Sequence, residues 1–78
     1  YYMLINCADK PGVLSQTTAV LGQNGVSIES IIQKGKQGNS ARVVFLTHET
    51  GELAMMKAIS ELKELPAVDG VESVIRVL

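Results

Sequence analysis

Hydrophobic and polar positions alternate over residues 1–7, with Tyr1, Met3, Ile5 and Cys7 on one face and Tyr2, Leu4 and Asn6 on the other, which predicts a β-strand. The period then changes. Over 11–24, Val13, Leu14, Thr17, Val20 and Leu21 recur at helical spacing, and Asn24-Gly25 supplies a stop because Gly25 can take the left-handed conformation there. Val26 to Lys36 alternates again, with Val26, Ile28, Ser30 and Ile32 facing one way and Ser27, Glu29, Ile31 and Gln33 the other. The polar stretch from Gly35 to Ser40 reads as a hairpin loop. Ala41 to His48 follows as a strand with two rather apolar faces, as expected in the middle of a sheet. Thr50 is expected to cap a second helix, Glu52 to complement its dipole, and Leu53, Met56, Ile59 and Leu62 to form its buried face. Leu65-Pro66 ends that helix, Val68-Asp69-Gly70 reads as a turn, and Val71 to Leu78 as a final strand.

The order β-α-β-β-α-β, joined by right-handed crossovers, predicts an α+β fold: a ferredoxin-like βαββαβ sandwich. Its four-stranded antiparallel sheet would run in the order 4-1-3-2, with two helices on one face and the other face open. The second strand then lies at an edge and carries Val26, Ile28, Ser30, Ile31 and Ile32. An apolar edge with unpaired backbone groups is normally covered or paired. Pairing of two such edges about a two-fold axis would make one eight-stranded sheet in a homodimer, with those five residues at its interface.

Composition narrows the classes. At 78 residues the chain has room for a single domain, 1–78, and one this small is stabilised only marginally by its own core. A net charge of −1 gives no electrostatic case for nucleic acid or for an anionic membrane. No apolar run approaches the length of a membrane span. Cys7 is the sole cysteine, so an internal disulfide and a cysteine-based metal cluster are excluded, which fits a reducing, cytoplasmic setting. Strands that begin at residue 1 and run to residue 78 read as a domain excised from something longer.

Catalytic chemistry is sparse. His48, at a strand end beside Glu49, reads as a solvated residue and Cys7 as a small core residue. No catalytic residue is assigned, and no ligands are spaced for a metal. Phe45 is the sole aromatic in the middle strands, and Lys34, Lys36 and Arg42 read as a solvated strand end, so RNA binding is weakly supported. The site suggested instead is made of backbone. In Asp9-Lys10-Pro11-Gly12-Val13-Leu14 a strand runs into a helix: Asp9 is expected as N-cap, Pro11 just inside the helix, and Gly12 as a point of close approach. First-turn N–H groups could hold a carboxylate, and Asp9 or Asn6 an ammonium. Asn24, Gly25, Ser27 and Ile28 are expected nearby to complete the polar shell. An amino acid fits that chemistry.

These residues resemble the ACT domain, a small regulatory module that binds amino acids in many metabolic enzymes. The resemblance spans the chain and rests on Asp9-Lys10-Pro11-Gly12-Val13-Leu14 followed by Asn24-Gly25-Val26-Ser27-Ile28. Ser27 to Lys34, Val44 to Thr50 and the opening Tyr1-Tyr2 are similar to the C-terminal ACT domain of bacterial homoserine dehydrogenases, which reduce aspartate semialdehyde with NAD(P)H. That resemblance implies allosteric feedback control by threonine in aspartate-family amino-acid biosynthesis. The ligand loop would be Asn6, Asp9, Lys10, Pro11, Gly12, Val13 and Leu14, faced across the dimer by Asn24, Gly25, Ser27 and Ile28. It also implies a partner catalytic domain that holds NADP or NAD, with no cofactor in this domain. Two departures are Leu4 and Asn6, where related domains often carry charged or polar residues and an acidic one. A structural dimerisation module without ligand stays open, as does an ACT domain sensing serine, isoleucine or lysine.

Overall fold

A computed structural model describes residues 1–76, and of Gln37 the backbone alone. The elements are β1 (Tyr2–Ala8), α1 (Val13–Gln23), β2 (Ile28–Gln37), β3 (Ser40–Thr47), α2 (Glu52–Glu64) and β4 (Val68–Ile75). They form an antiparallel sheet in the order β2-β3-β1-β4, with both helices packed on one face. This is the ferredoxin-like sandwich that the alternation and period changes predict. Val77 and Leu78, the end of the expected last strand, lie outside the described residues.

The core lies between the helices and the two central strands. Met3 stands opposite Phe45, Ile5 opposite Val43 and Cys7 opposite Ala41. None of the six is more than 4% exposed. α1 adds Val13, Thr17 and Leu21, and α2 adds Met55, Ala58 and Leu62. Thr17 is fully buried yet satisfied, because its hydroxyl donates to the Leu14 carbonyl at 2.9 Å. Val44 is also buried, at 1% exposure, although it points to the other face. Its neighbours there are Leu4 and Ile32 across the sheet.

Four local expectations are corrected. The buried face of α2 is Met55, Ala58 and Leu62, with Ile59 packed partly buried beside it as expected, while Leu53 is 83% and Met56 60% exposed. Counting back from Leu62 in threes drifts around the helix, so at about 100° per residue Leu53 sits some 180° away. Met55, seven residues before Leu62, returns to within about 20°. Thr50 does not cap α2: Gly51 is the N-cap, and the Thr50 hydroxyl donates to the His48 carbonyl at 2.9 Å. The hairpin loop shrinks to Gly38-Asn39, with Gln37 paired to Ser40 and Gly38 at φ +61°. The turn after α2 falls earlier than expected, since Val68 N–H donates to the Leu65 carbonyl around Pro66, and Val68-Asp69-Gly70 already belongs to β4.

β2 departs most from simple alternation. Ile28 stands opposite Thr47 and Ser30 opposite Leu46, so Glu29 is an extra residue in the strand. The faces switch at that point. Ile28 and Ile31 lie on the helix side with Thr47 and Phe45, whereas Ser30 and Ile32 lie on the open side with Leu46 and Val44. Val26 precedes the strand and is 3% exposed in the chain's own core, so it is withdrawn from the expected edge surface. Ile31 and Ile32, at 40% and 44% exposure, keep that edge apolar.

The α2 correction has a measurable consequence. Met55→Ala should destabilise the chain by about 2–5 kcal/mol, and Leu53→Ala should stay within about 0.5 kcal/mol, as read from urea midpoints.

Candidate functional site

The chain leaves β1 under tight control. Ala8 N–H donates to the Ala67 carbonyl and Asp9 N–H to the Asn39 carbonyl, each at 2.7 Å, which ties the strand end to the α2–β4 turn and to the hairpin tip. The backbone then turns through Lys10, Pro11 and Gly12. Val13 N–H meets the Lys10 carbonyl at 3.3 Å and Gln16 N–H the Gly12 carbonyl at 3.0 Å. Gly12 is therefore the N-cap, with no side chain capping the helix, and Pro11 lies in the turn before it. The expected Asp9 cap is replaced because its carboxylate is drawn to Lys36, Oδ2 to Nζ 2.7 Å. Gly12 is needed for its left-handed conformation, φ +87°, and not for close approach, since a Cβ there would meet nothing within 4 Å.

Among the described residues no turn or cap carbonyl receives the N–H groups of Leu14 and Ser15. The first turn thus keeps donors for an anion. Beside it lies a groove of about 200 Å³, lined by Asp9 through Ser15, by Cys7 and Ala8, and by Gln33, Ala41 and Val43 from β2 and β3. Pockets for drug-sized ligands run to roughly 300–1,000 Å³, so this one suits a small molecule. Burial pushes the Cys7 thiol upward, and the nearby Asp69 and Asp9 carboxylates add to that, so the wall contributes a neutral thiol rather than a nucleophile.

Of the expected site residues, Asp9, Lys10, Pro11, Gly12, Val13 and Leu14 line this groove. Asn6 does not. It pairs with Arg42 and Gly70 in the adjacent strands and belongs to the open face. There Arg42 Nη2 donates to Glu72 Oε2 at 3.1 Å, and hydrogen bonds from Asn6, then Arg42, hold the Glu72 carboxyl below its ordinary value. Asn24, Gly25, Ser27 and Ile28 sit beyond the far end of α1, about 16 Å along an 11-residue helix. The expectation that they meet the loop within one chain is thus corrected by the length of that helix. Locally they form its stop: Asn24 Nδ2 donates to the Val20 carbonyl at 2.8 Å, Gly25 adopts φ +76°, and the Ser27 carbonyl accepts His48 N–H at 2.9 Å. Cys7, Ala8, Ser15, Gln33, Ala41 and Val43 are lining residues that sequence reasoning missed. Ala41 and Val43 could have been found from their shared face with Phe45. Gln33 could not, because the bulge at Glu29 reassigns its neighbours.

A larger groove, about 670 Å³, lies at the opposite end of the sheet, and His48 is among its lining residues. Glu29, Glu49 and Glu52 line it too. Arg76 is the one arginine in that lining, and the three carboxylates outnumber it, which makes this groove the less favourable place for a carboxylate ligand. Among the described residues no three His, Cys, Asp or Glu side chains converge as metal ligands, and no helix is long and apolar enough to cross a membrane.

The architecture defines a ferredoxin-like α+β domain with a small groove where β1 passes into α1. A model of the ACT domain family matches residues 1–67, and the chain belongs to that family. It is 42% identical over 72 residues to a homoserine dehydrogenase of Methylobacillus glycogenes, covering 90% of this chain and 18% of that protein. With a homoserine dehydrogenase of Synechocystis it shares 40% identity over 78 residues, again 18% of the relative. The solved homoserine dehydrogenase of Thiobacillus denitrificans superposes with a TM-score of 0.79 at 33% identity, over 90% of this chain and 15% of that one. The chain thus spans less than a fifth of the length of these relatives.

Two outcomes follow for the local structure. Gly12→Ala should cost about 1–2 kcal/mol through its left-handed φ, whereas Gly22→Ala, inside α1 with open space around it, should gain about 0.4–1 kcal/mol in urea unfolding. Because the folded state lowers the Glu72 carboxyl, its partners support folding above the unfolded carboxyl value and lose that support as pH falls through the folded one. Glu72→Gln should therefore flatten the acid limb of stability against pH, measured as urea midpoints.

Proposed function

We propose that this chain is the amino-acid-binding regulatory domain of a homoserine dehydrogenase, and that threonine is its feedback ligand. The observation that carries the reading is the groove beside the first turn of α1, where Leu14 and Ser15 offer N–H donors and Asp9 a carboxylate. The ligand's carboxylate would take the donors and its ammonium the second oxygen of Asp9. Asn24, Gly25, Ser27 and Ile28 would reach the groove from a second copy, and Asn6 would act from the open face only indirectly.

The homodimer would form along the β2 edge, through Ile28, Ser30, Ile31 and Ile32, of which Ile31 and Ile32 are exposed. A ligand that binds one dimer geometry better than another shifts the population toward it, which is the regulatory output. The longer, cytoplasmic enzyme would supply the catalytic domain and its NADP or NAD, and this domain would contribute no catalytic group. The similarity to homoserine dehydrogenases over nearly the whole chain supports this parentage. A second reading, a dimerisation module without ligand, draws on the same apolar edge.

Thermal unfolding at fixed chain concentration, with and without millimolar threonine, serine, isoleucine and lysine, separates the readings. The midpoint should rise with threonine, by an amount that grows with ligand concentration, and stay fixed with the others. A rise with a different amino acid would reassign the ligand, and no rise with any would favour the structural module. Gly12→Asp should abolish the threonine effect by placing a carboxylate at the anion site, while Gly12→Ala, which carries similar backbone strain, should retain part of it.

A further inference from the structure

A second irregularity in β2 decides where Lys36 points. Gln33 stands opposite Val43 and Gly35 opposite Arg42, so Lys34 is the extra residue, and Lys36 falls opposite Ala41 on the helix side. With regular pairing, Lys36 would face Ser40 and project from the other side of the sheet. Bulges are over-represented beside functional sites, where they re-aim a side chain. Here the re-aimed ammonium reaches Asp9 Oδ2 at 2.7 Å, while Asp9 N–H donates to the Asn39 carbonyl at 2.7 Å. The β2–β3 hairpin therefore grips Asp9 by both its side chain and its backbone. The contact holds Lys36 in its charged form more firmly, since the hydrogen bond and charge of Asp9 raise its pKa.

Global stability does not explain the arrangement. The Lys36 and Asp9 side chains are 61% and 32% exposed, and ion pairs this open contribute little to folding. Its consequence is local. Asp9 is the first residue of the loop that turns into α1, and the groove lies between that loop and Gln33, Ala41 and Val43 of the same hairpin.

We propose that Lys36 is a positioning residue for the groove: through Asp9 it pins the loop to the β2–β3 hairpin, in the arrangement that opens the Leu14 and Ser15 N–H groups to a ligand. It acts on the loop and not on the ligand. The pinning stands on geometry alone, whereas its effect on ligand affinity rests on the amino-acid-binding reading above.

The test combines amide hydrogen exchange at Asp9 with threonine titration of the 78-residue chain, for wild type, Lys36→Met and Lys36→Arg, at low and high salt. In Lys36→Met the Asp9 amide should exchange several-fold faster and threonine affinity should fall about two- to five-fold, the size expected for one exposed ion pair. The thermal midpoint of the unliganded chain should barely move, and Lys36→Arg should restore both readouts. High salt should weaken wild-type binding more than binding to Lys36→Met, which keeps only the salt dependence of the ligand's own contact with Asp9. Unaltered Asp9 exchange in Lys36→Met overturns the proposal whatever the ligand does. Faster exchange with unaltered threonine affinity overturns it as well. If no amino acid binds the wild-type chain, the regulatory reading fails separately, and Asp9 exchange alone decides whether Lys36 pins the loop.

Discussion

The structure depends on the pairing of β1 with β3. Met3 against Phe45, Ile5 against Val43 and Cys7 against Ala41 put six nearly inaccessible side chains on one face of the two central strands. Burying a large apolar side chain contributes about 1.5–3 kcal/mol, so this floor outweighs any single polar contact in the molecule. Both helices take their orientation from it: Val13, Thr17 and Leu21 descend from α1, and Met55, Ala58 and Leu62 from α2. The register also fixes where β1 ends. That end, beside the β2–β3 hairpin, is where the loop begins, so the groove is a product of core packing rather than of a separately folded loop.

A sheet edge is the second constraint. β2 pairs on one side alone, and its two bulges distribute its side chains unevenly. The first returns Ile28 to the helix side and leaves Ile31 and Ile32 partly exposed on opposite faces. The second sends Lys36 toward the loop. One strand therefore contributes to the core, to an apolar edge and to the grip on Asp9, which gives a physical connection between groove and edge. Any influence of a ligand on self-association has a short path to follow.

The element order, the sheet order and the central character of β3 were legible, because long alternating runs and clear helix stops constrain them strongly. Details that depend on one residue of phase were not. Leu53 and Met56 looked buried because apolar residues in steps of three imitate a helix face, and the choice of Met55 depends on the whole turn count. Bulges at Glu29 and Lys34 leave no mark in a pattern of alternation, so neither the facing of Ile28 nor the aim of Lys36 could be read. Asp9 looked like a cap because its partner, Lys36, lies 27 positions away in the chain. The loop itself, Asp9 to Leu14, was legible as a turn into a helix, because proline and glycine mark one. Its opposite wall was not, since Gln33, Ala41 and Val43 join it only through the sheet.

In the proposed regulatory site one chain would supply the loop, and a second copy would complete it with Asn24, Gly25, Ser27 and Ile28. Within one chain those halves are separated by the length of α1, so only an assembly can join them. A crystal structure of the chain grown with threonine tests this most directly. The account predicts one threonine per groove, its carboxylate on the Leu14 and Ser15 amides and the partner's helix stop closing over it, in a dimer paired along β2. Threonine in the acidic groove at the other end of the sheet, or a threonine-bound chain with an unpaired β2 edge, would contradict it.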